Sequence, residues 1–302
     1  MRSKSRFTAV VLLLAAPLAA SAETPRTSAA WTAEFYTHVG IVTNLVYETT
    51  PQGPQTLDIF QAKDVRGPAP TVFFIHGGAW IHGTKDDMLG YTLPWMEMGW
   101  TVVNINYRVA KDAPAPAAVE DCVCALRWTA ANAGKYRIDL SRLVIAGASA
   151  GGELALVVAM APPGAKFDGS HAVGPLPGAV AVVNFSGVAD VLDLLEGPHG
   201  QGFTATWLGG VRGREDLARR LSPITYVRPG VPPVFTAHGS ADPTVPYGQA
   251  VRFHAALTAA GVPNQLWTVA GGKHGAYSPA EYREIYVALR AFLARRHLPA
   301  GP

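Results

Sequence analysis

Short apolar runs recur along the chain, and several of them are separated by segments of helical length. The runs do not alternate strictly between apolar and polar residues, which is typical of strands buried on both faces. Such strands separated by helices predict one mostly parallel sheet covered by helices on both sides, the α/β class. The predicted strands are Thr56–Phe60, Thr71–Ile75, Trp100–Ile105, Leu143–Ala146, Ala179–Val183, Pro233–Ala237 and Gln265–Val269.

Helix signals lie between and after these strands. The segments Ala117–Ala133 and Gln249–Ala260 carry apolar residues at helical spacing. Ser278 and Glu281 have the spacing of a capping box, and Pro279 stands at the first helical position of the last predicted helix. These signals complete the helical layers of an α/β domain.

The strand and helix pattern predicts a single domain over residues 23–302. Its sheet is expected to start near Val42 with an antiparallel pair of strands at one edge. The stretch over residues 186–221 is the least regular, and it separates two predicted strands by more than a simple crossover helix requires. It is interpreted as a small partial cap over the carboxyl edge of the sheet, where open α/β folds bind ligands.

The N-terminus has the pattern of a secretory signal peptide over residues 1–22. An apolar stretch, Ala9–Ala20, is interrupted by Pro17 and is too short to span a bilayer. Ala20-Ser21-Ala22 offers a cleavage site of the A-x-A kind. We therefore expect export to the periplasm or the outside, with no membrane association after cleavage. The cations that precede the apolar stretch are Arg2, Lys4 and Arg6.

The charge balance argues against several classes of partner. Cleavage lowers the count of basic residues from 25 to 22, which equals the count of acidic residues. No basic patch or charge block remains, so neither nucleic acid nor an anionic membrane surface is expected as a partner. Apolar residues make up 49% of the chain, enough for a substantial core.

The two cysteines, Cys122 and Cys124, stand two positions apart on a predicted helix and point to different faces. They cannot easily bridge each other, so both are interpreted as free thiols. No motif of metal-ligand spacing occurs, and no metal or other cofactor is expected.

A run of glycine, serine and alanine, residues 147–152, follows a predicted strand and precedes an apolar helix. A phosphate-binding loop would need a lysine that is absent, and the glycine spacing of a dinucleotide-binding loop is also missing. The run fits G-x-S-x-G, a turn that exposes a nucleophilic serine, here Ser149. Gly147 and Gly151 are expected to remove Cβ atoms that would collide across the turn.

A second glycine turn, His76-Gly77-Gly78-Ala79, directly follows another predicted strand. The amides of Gly77 and Gly78, together with that of Ala150, are expected to form an oxyanion hole. His76 is interpreted as a structural residue. Trp80 fits two roles equally, a pocket wall or a core residue.

The nucleophile needs a base and an orienting carboxylate. Asp242 and His274 each lie in a loop after a predicted strand, downstream of Ser149 in the order Ser, Asp, His. His238, in the same loop as Asp242, is interpreted as structural. The weaker candidates for the acid are Asp190 and Asp193.

The chain resembles the α/β-hydrolases, within the hormone-sensitive-lipase-like and BD-FAE-like (feruloyl-esterase-like) esterase group. The resemblance covers nearly all of the chain after the predicted signal peptide. It implies an eight-stranded type of α/β-hydrolase sheet and hydrolysis of carboxylic esters through an acyl-enzyme. The matching stretches are HGGAW (76–80), NYRVAKDAPAPAAVEDCVCALRW (106–128), GASAGG (147–152), SPITYV (222–227), ADPTVP (241–246) and KHG (273–275).

The resemblance does not name the ester. Short acyl or aromatic esters are expected, either small molecules or esterified polysaccharide. Trp207 and Phe203, in the predicted cap, fit either an acyl pocket or a contact that anchors the cap. An arylformamidase-like amidase, a peptidase related to prolyl oligopeptidases and an inactive binding protein stay open as alternatives, as does the oligomeric state.

Overall fold

A computed structural model describes residues 37–63, 67–165, 167 and 174–301, together with residues 29, 33 and 35. The predicted signal peptide, residues 1–22, lies outside the described residues. The chain divides into two compact units, residues 1–37 and 38–302. In the first unit the described residues are helical, and the whole sheet lies in the second.

Eight strands form one sheet in the order β1-β2-β4-β3-β5-β6-β7-β8. The strands β1 and β2 pair antiparallel, as do β2 and β4, and every other pairing is parallel. This confirms the predicted α/β class and the antiparallel pair at one edge. The strands are β1 (Val39–Thr50), β2 (Gly53–Ala62), β3 (Ala69–Ile75), β4 (Thr101–Ile105), β5 (Ile138–Ala148), β6 (Ala181–Phe185), β7 (Val234–Gly239) and β8 (Asn264–Val269).

Seven α-helices are described in the second unit, and several short 3-10 turns accompany them. The predicted helices end within a few residues of their expected bounds, and the last begins at Pro279 with the Ser278–Glu281 capping box in place. The helices are α1 (Leu89–Glu97), α2 (Ala117–Ala131), α3 (Ala150–Met160), α4 (Gly202–Leu208), α5 (Glu215–Arg220), α6 (Tyr247–Ala259) and α7 (Pro279–Ala294).

Several elements differ from the sequence expectation, among them β5, which starts at Ile138 and not at Leu143. The sequence analysis did not predict α1, because Pro94 lies inside it and a proline within a helical pattern usually indicates the end of a helix. Strand β6 starts two residues later than predicted and ends at Phe185. The end of this strand was not predicted because the polar Asn184 interrupts the apolar run. Its side chain is nevertheless buried and accepts a hydrogen bond from the N–H of Gly187 at 2.8 Å.

The strands β3, β4, β6 and β7 are buried along their whole length, which is what non-alternating apolar runs predict. The helices α4 and α5 lie within residues 186–221, the predicted cap. Trp207 and Leu221 are fully buried against the main core, so this segment packs firmly on the domain.

Both cysteines are free thiols, as predicted, with Cys122 buried and Cys124 partly buried. Burial raises the pKa of the Cys124 thiol to about 12, so it carries little thiolate at neutral pH. No helix in the described part of the chain is long and apolar enough to cross a membrane.

A buried ion pair ties the loop after β4 to α2. The carboxylate of Asp121 has no exposed surface and accepts hydrogen bonds from the backbone N–H of Arg108 at 2.7 Å and from its Nε at 3.0 Å. The pKa of Arg108 is raised by these contacts. Removing one partner of such a pair leaves a poorly solvated charge.

We expect Asp121→Ala to lower the free energy of unfolding by about 3–5 kcal/mol, because it leaves the Arg108 guanidinium without its acceptor. Urea unfolding followed by circular dichroism measures the change. Asp216→Ala is the matched control, since Asp216 is 97% exposed in its pair with Arg219 and should cost less than about 1 kcal/mol. Equal losses in the two variants would contradict the prediction.

Candidate active site

The residues predicted to carry chemistry follow four of the parallel strands in one half of the sheet. Gly77 comes after β3, Ser149 after β5, Asp242 after β7 and His274 after β8. Because the carboxyl ends of parallel strands lie at one edge of a sheet, these loops converge.

Ser149 lies on a tight turn between β5 and α3, with φ 54° and ψ −120°. Residues other than glycine rarely adopt this backbone conformation. Its N–H donates to the carbonyl of Phe185 on the neighbouring strand at 2.8 Å. A Cβ on Gly147 would lie 2.1 Å from the carbonyl oxygen of Gly151, and one on Gly151 would lie 2.1 Å from that of Ile75. The structure confirms that both positions require glycine.

The side chains of Ser149, His274 and Asp242 form a continuous hydrogen-bonded line. His274 Nδ1 lies 2.7 Å from Asp242 Oδ2, and His274 Nε2 lies 2.8 Å from Ser149 Oγ. A carboxylate can only accept hydrogen bonds, so Nδ1 of His274 donates one to Asp242. In a neutral ring, Nε2 then carries no hydrogen and accepts a hydrogen bond from the hydroxyl of Ser149. This geometry permits removal of the hydroxyl proton as Ser149 attacks an electrophile.

The carboxylate of Asp242 is surrounded by donors. Its Oδ1 accepts from the backbone N–H groups of Thr244 at 2.8 Å and Val245 at 2.9 Å. Burial by itself raises the pKa of Asp242, but hydrogen bonds from His238 and His274 outweigh it and hold the pKa well below its usual range. The group is therefore ionised at neutral pH.

A second histidine contacts the same carboxylate. His238 has no exposed surface, and its Nε2 lies 3.2 Å from Asp242 Oδ2 and 3.0 Å from the carbonyl oxygen of Val245. Both neighbours are acceptors, so Nε2 carries the hydrogen. The sequence interpretation of His238 as structural omitted this contact, which the spacing of four residues to Asp242 could have suggested.

The turn after β3 lies directly against the Ser149 turn. A Cβ on Gly77 would lie 2.8 Å from the carbonyl oxygen of Ala148 and 3.3 Å from Ser149 Cβ. Among the described residues, no hydrogen bond uses the N–H groups of Gly77, Gly78 or Ala150. Those three donors are therefore available to an oxygen atom, and their role as an oxyanion hole stays a prediction.

His76 holds the base of this turn. Its Nδ1 lies 2.7 Å from the carbonyl oxygen of Gly77, and its ring stacks on Tyr107 with centroids 4.0 Å apart. The hydroxyl of Tyr107 donates to the carbonyl of His76 at 3.1 Å. Burial lowers the pKa of His76 to about 4, so the ring is neutral at physiological pH. These contacts agree with a structural role for His76.

The three aromatic residues proposed to contact substrate lie together but are mostly buried. Trp80 and Trp207 have no exposed surface and stack with centroids 4.2 Å apart and planes 3° apart. Phe203 is partly exposed, with its centroid 6.1 Å from that of Trp80. The contacts favour the core and anchoring roles for the two tryptophans, and Phe203 is the member of the three that offers surface to a ligand.

The alternative acids belong to a separate network on the cap side. Asp193 accepts from Gln249 Nε2 at 2.9 Å and from an Arg252 guanidinium nitrogen at 3.1 Å. Asp190 Oδ2 lies 3.9 Å from the same guanidinium. The structure brings Asp242 to His274 instead.

An aromatic group beside His274 was not predicted. The hydroxyl of Tyr282 donates to the carbonyl of Gly275 at 2.7 Å, and that of Tyr277 lies 2.9 Å from Ser186 Oγ. These contacts fix the loop that carries His274. In the described part of the chain, no group of three or more His, Cys, Asp and Glu residues could hold a metal ion.

Comparisons with known proteins identify the family and the fold of the chain. The BD-FAE family model matches residues 57–257, which include β2 to β7 and most of α6. Esterase LipC of Mycobacterium tuberculosis is 31% identical over 207 residues, covering 66% of this chain and 51% of that protein. Carboxylesterase NlhH of the same organism is 31% identical over 212 residues, covering 67% of this chain and 65% of that protein.

The chain spans about half the length of several of the curated relatives that it matches. Among solved structures, Thermogutta terrifontis esterase 2 phosphoramylated by tabun has a TM-score of 0.75 at 23% identity, covering 87% of this chain and 97% of that one. Together with the eight-stranded sheet, this likeness shows the α/β-hydrolase fold. With the family model matched across most of the sheet, the chain belongs to the BD-FAE family of α/β-hydrolases.

Proposed function

We propose that this protein is a carboxylesterase that works through an acyl-enzyme. The observation that carries the proposal is the Ser149–His274–Asp242 line, with contacts of 2.8 Å and 2.7 Å. The similarity to Esterase LipC and to Carboxylesterase NlhH supports it. No group in this mechanism requires a metal or another cofactor.

In the first half of the reaction, Ser149 Oγ attacks the ester carbonyl carbon while His274 Nε2 takes the hydroxyl proton. Asp242 holds the ring in the required tautomer and stabilises the imidazolium that forms. The tetrahedral intermediate then expels the alcohol, which receives the proton from His274. In the second half, His274 takes a proton from water as its oxygen attacks the acyl carbon. The bond between that carbon and Ser149 Oγ then breaks, His274 returns the proton to Oγ, and the free acid leaves.

The negative charge on the carbonyl oxygen is met by the N–H groups of Gly77, Gly78 and Ala150. These donors come from two segments, the turn after β3 and the start of α3. Fixed donors of this kind stabilise the developing charge without reorganising during the reaction.

We infer that the substrates are esters of short or aromatic acids, either small molecules or esterified polysaccharide. Thermogutta terrifontis esterase 2 has been solved with propionate and with butyrate bound. Another similar structure is that of a truncated carbohydrate esterase from gut microbiota. A series of p-nitrophenyl esters of rising acyl length, together with aryl esters and acetylated xylan, tests the preference. A rate that rises steadily with chain length beyond octanoate would contradict it.

The same side chains could also cleave an amide. Hydrolysis of phenyl acetate and of N-formylaniline by one preparation separates the two activities. We expect the ester to react faster, and a faster formanilide would favour the amidase alternative. Labelling by a fluorophosphonate probe separates either enzyme from an inactive binding protein.

We further propose that residues 1–22 direct export and are removed. The support is the sequence pattern of cations, apolar stretch and A-x-A site. N-terminal sequencing of the protein produced in a bacterial host should give Glu23 as the first residue. Recovery of an uncleaved cytoplasmic chain would contradict the proposal.

We expect Ser149→Ala and His274→Ala each to lower kcat for a short p-nitrophenyl ester by about 10⁴–10⁶-fold, since each removes the nucleophile or its base. Ser141→Ala is the matched control, because Ser141 is exposed near the opposite end of β5 and should retain activity. In the wild type, kcat/KM should fall toward acid pH, where a protonated imidazole cannot accept a proton. Near-normal turnover by Ser149→Ala would overturn the assignment.

We expect Asp242→Asn to lower kcat by about 10⁴-fold, because the amide can hold the ring of His274 in the wrong tautomer. The variant also tests the lowered pKa of Asp242 through stability. A carboxyl whose folded pKa lies below its unfolded value of about 3.9 stabilises the fold fully above that pH and progressively less below it. The stability difference between wild type and variant should therefore shrink as the pH falls below about 4. Urea unfolding at pH 7 and pH 3 measures it, and a constant difference would contradict the prediction.

A further inference from the structure

The turn that carries Gly77 and Gly78 has an unusual backbone. Gly78, Ala79 and Trp80 have φ values of 118°, 53° and 60°. Two of these three residues carry a Cβ, and such residues adopt positive φ only when their surroundings hold them there. Something must therefore fix the far side of the turn.

The side chain of Trp80 supplies that fixation. Its indole Nε1 donates to Glu153 Oε2 at 2.9 Å, and its ring stacks on Trp207. Its carbonyl accepts from the N–H of Ala110 at 2.8 Å. Trp80 is thus held through its side chain and its backbone.

Glu153 lies one turn beyond Ser149 on α3, and its N–H donates to the carbonyl of Ser149 at 3.2 Å. Its side chain has no exposed surface, and Oε1 has no hydrogen-bond partner among the described residues. Burial raises the pKa of Glu153 well above its usual range, and the hydrogen bond from Trp80 lowers it only partly. Burial therefore favours the neutral form of this carboxyl.

An apolar side chain would fill this position without the cost of burying a carboxyl. What Glu153 adds is an acceptor that reaches from the helix of the nucleophile to the turn after β3. The turn is consequently fixed at two points on α3 and its entry, at Gly77 by close backbone packing and at Trp80 by the hydrogen bond. Gly78 lies between these two points.

We propose that Glu153 is a positioning residue of the oxyanion hole, holding the N–H groups of Gly77 and Gly78 at a fixed place relative to that of Ala150 through its hydrogen bond with Trp80. The inference rests on the proposed esterase function. It assigns no contact between Glu153 and the substrate.

Four variants separate positioning from packing. Glu153→Leu removes the acceptor, Trp80→Phe removes the donor but keeps a ring to stack on Trp207, and the double variant removes both. Glu153→Gln keeps an acceptor of the same shape and, like the neutral carboxyl, carries no charge. For each we would measure kcat, KM and Tm with a short p-nitrophenyl ester.

A further readout compares that ester with its thiono analogue, in which sulfur replaces the carbonyl oxygen. Sulfur is the weaker hydrogen-bond acceptor, so well-placed oxyanion donors favour the oxygen ester. The ratio of the two kcat values therefore reports on the alignment of the donors and not on the amount of folded protein.

We expect Glu153→Leu and Trp80→Phe to lower kcat by about 10–100-fold with little change in KM, short of the 10²–10³-fold cost of losing a whole donor. The ratio of kcat for the oxygen ester to kcat for its thiono analogue should fall by about 10-fold in both variants, because misplaced donors favour the oxygen less. The double variant should regain Tm, because no buried polar group is left unpaired, while its kcat stays low. Glu153→Gln should keep kcat within about 3-fold of wild type and keep the ratio.

Val158→Ala is the control for packing, since it removes buried methyl groups from the same helix and should lower Tm without changing the ratio. The inference is overturned if the ratio in Glu153→Leu equals that of wild type, or if kcat in the double variant recovers together with Tm. If Glu153→Leu does not fold, the same ratio of kcat values is compared between Trp80→Phe and wild type, and an unchanged ratio overturns the inference. Failure of wild type to hydrolyse any ester would instead overturn the proposed function.

Discussion

The close approach of three backbone segments at Ser149 is the constraint on which the site depends. The end of β3, the end of β5 and the first turn of α3 lie so near each other that carbonyl oxygens occupy the space where Cβ atoms would stand on Gly147 and Gly151. This packing holds Ser149 at positive φ, starts α3 with a free N–H at Ala150 and places Gly77 against the serine. The positions of the proposed nucleophile and of the proposed oxyanion donors thus result from one contact between segments.

Much of this arrangement could be predicted from the sequence, because it follows from where strands end. Non-alternating apolar runs predict buried parallel strands, and parallel strands bring their carboxyl ends together. The loops holding Ser149, Asp242 and His274 therefore had to meet. Chain order and the glycines around Ser149 then distinguish these residues from other serines, acids and histidines.

The contacts that were not predicted join side chains far apart in sequence. The stacking of Trp80 on Trp207 and the hydrogen bond from Trp80 to Glu153 depend on how α3 and α4 pack, which no local pattern encodes. The contact between His238 and Asp242 is an exception, because these two residues stand four positions apart and their spacing could have suggested it. Helix α1 was missed for a local reason, the proline inside it.

The charges around the site follow from the same burial. Both His76 and Glu153 lie next to the turn after β3, and burial favours the neutral form of each, by lowering the pKa of His76 to about 4 and by raising that of Glu153. In their neutral forms these two groups add no charge where the oxyanion of the proposed reaction forms. Asp242, in contrast, stays ionised because donors surround it. In the proposed mechanism, the charge separation develops between one fixed carboxylate, the imidazolium of His274 and an oxyanion that backbone N–H groups alone stabilise. The placement of those N–H groups therefore needs support from the buried side chains that pack against the turn after β3.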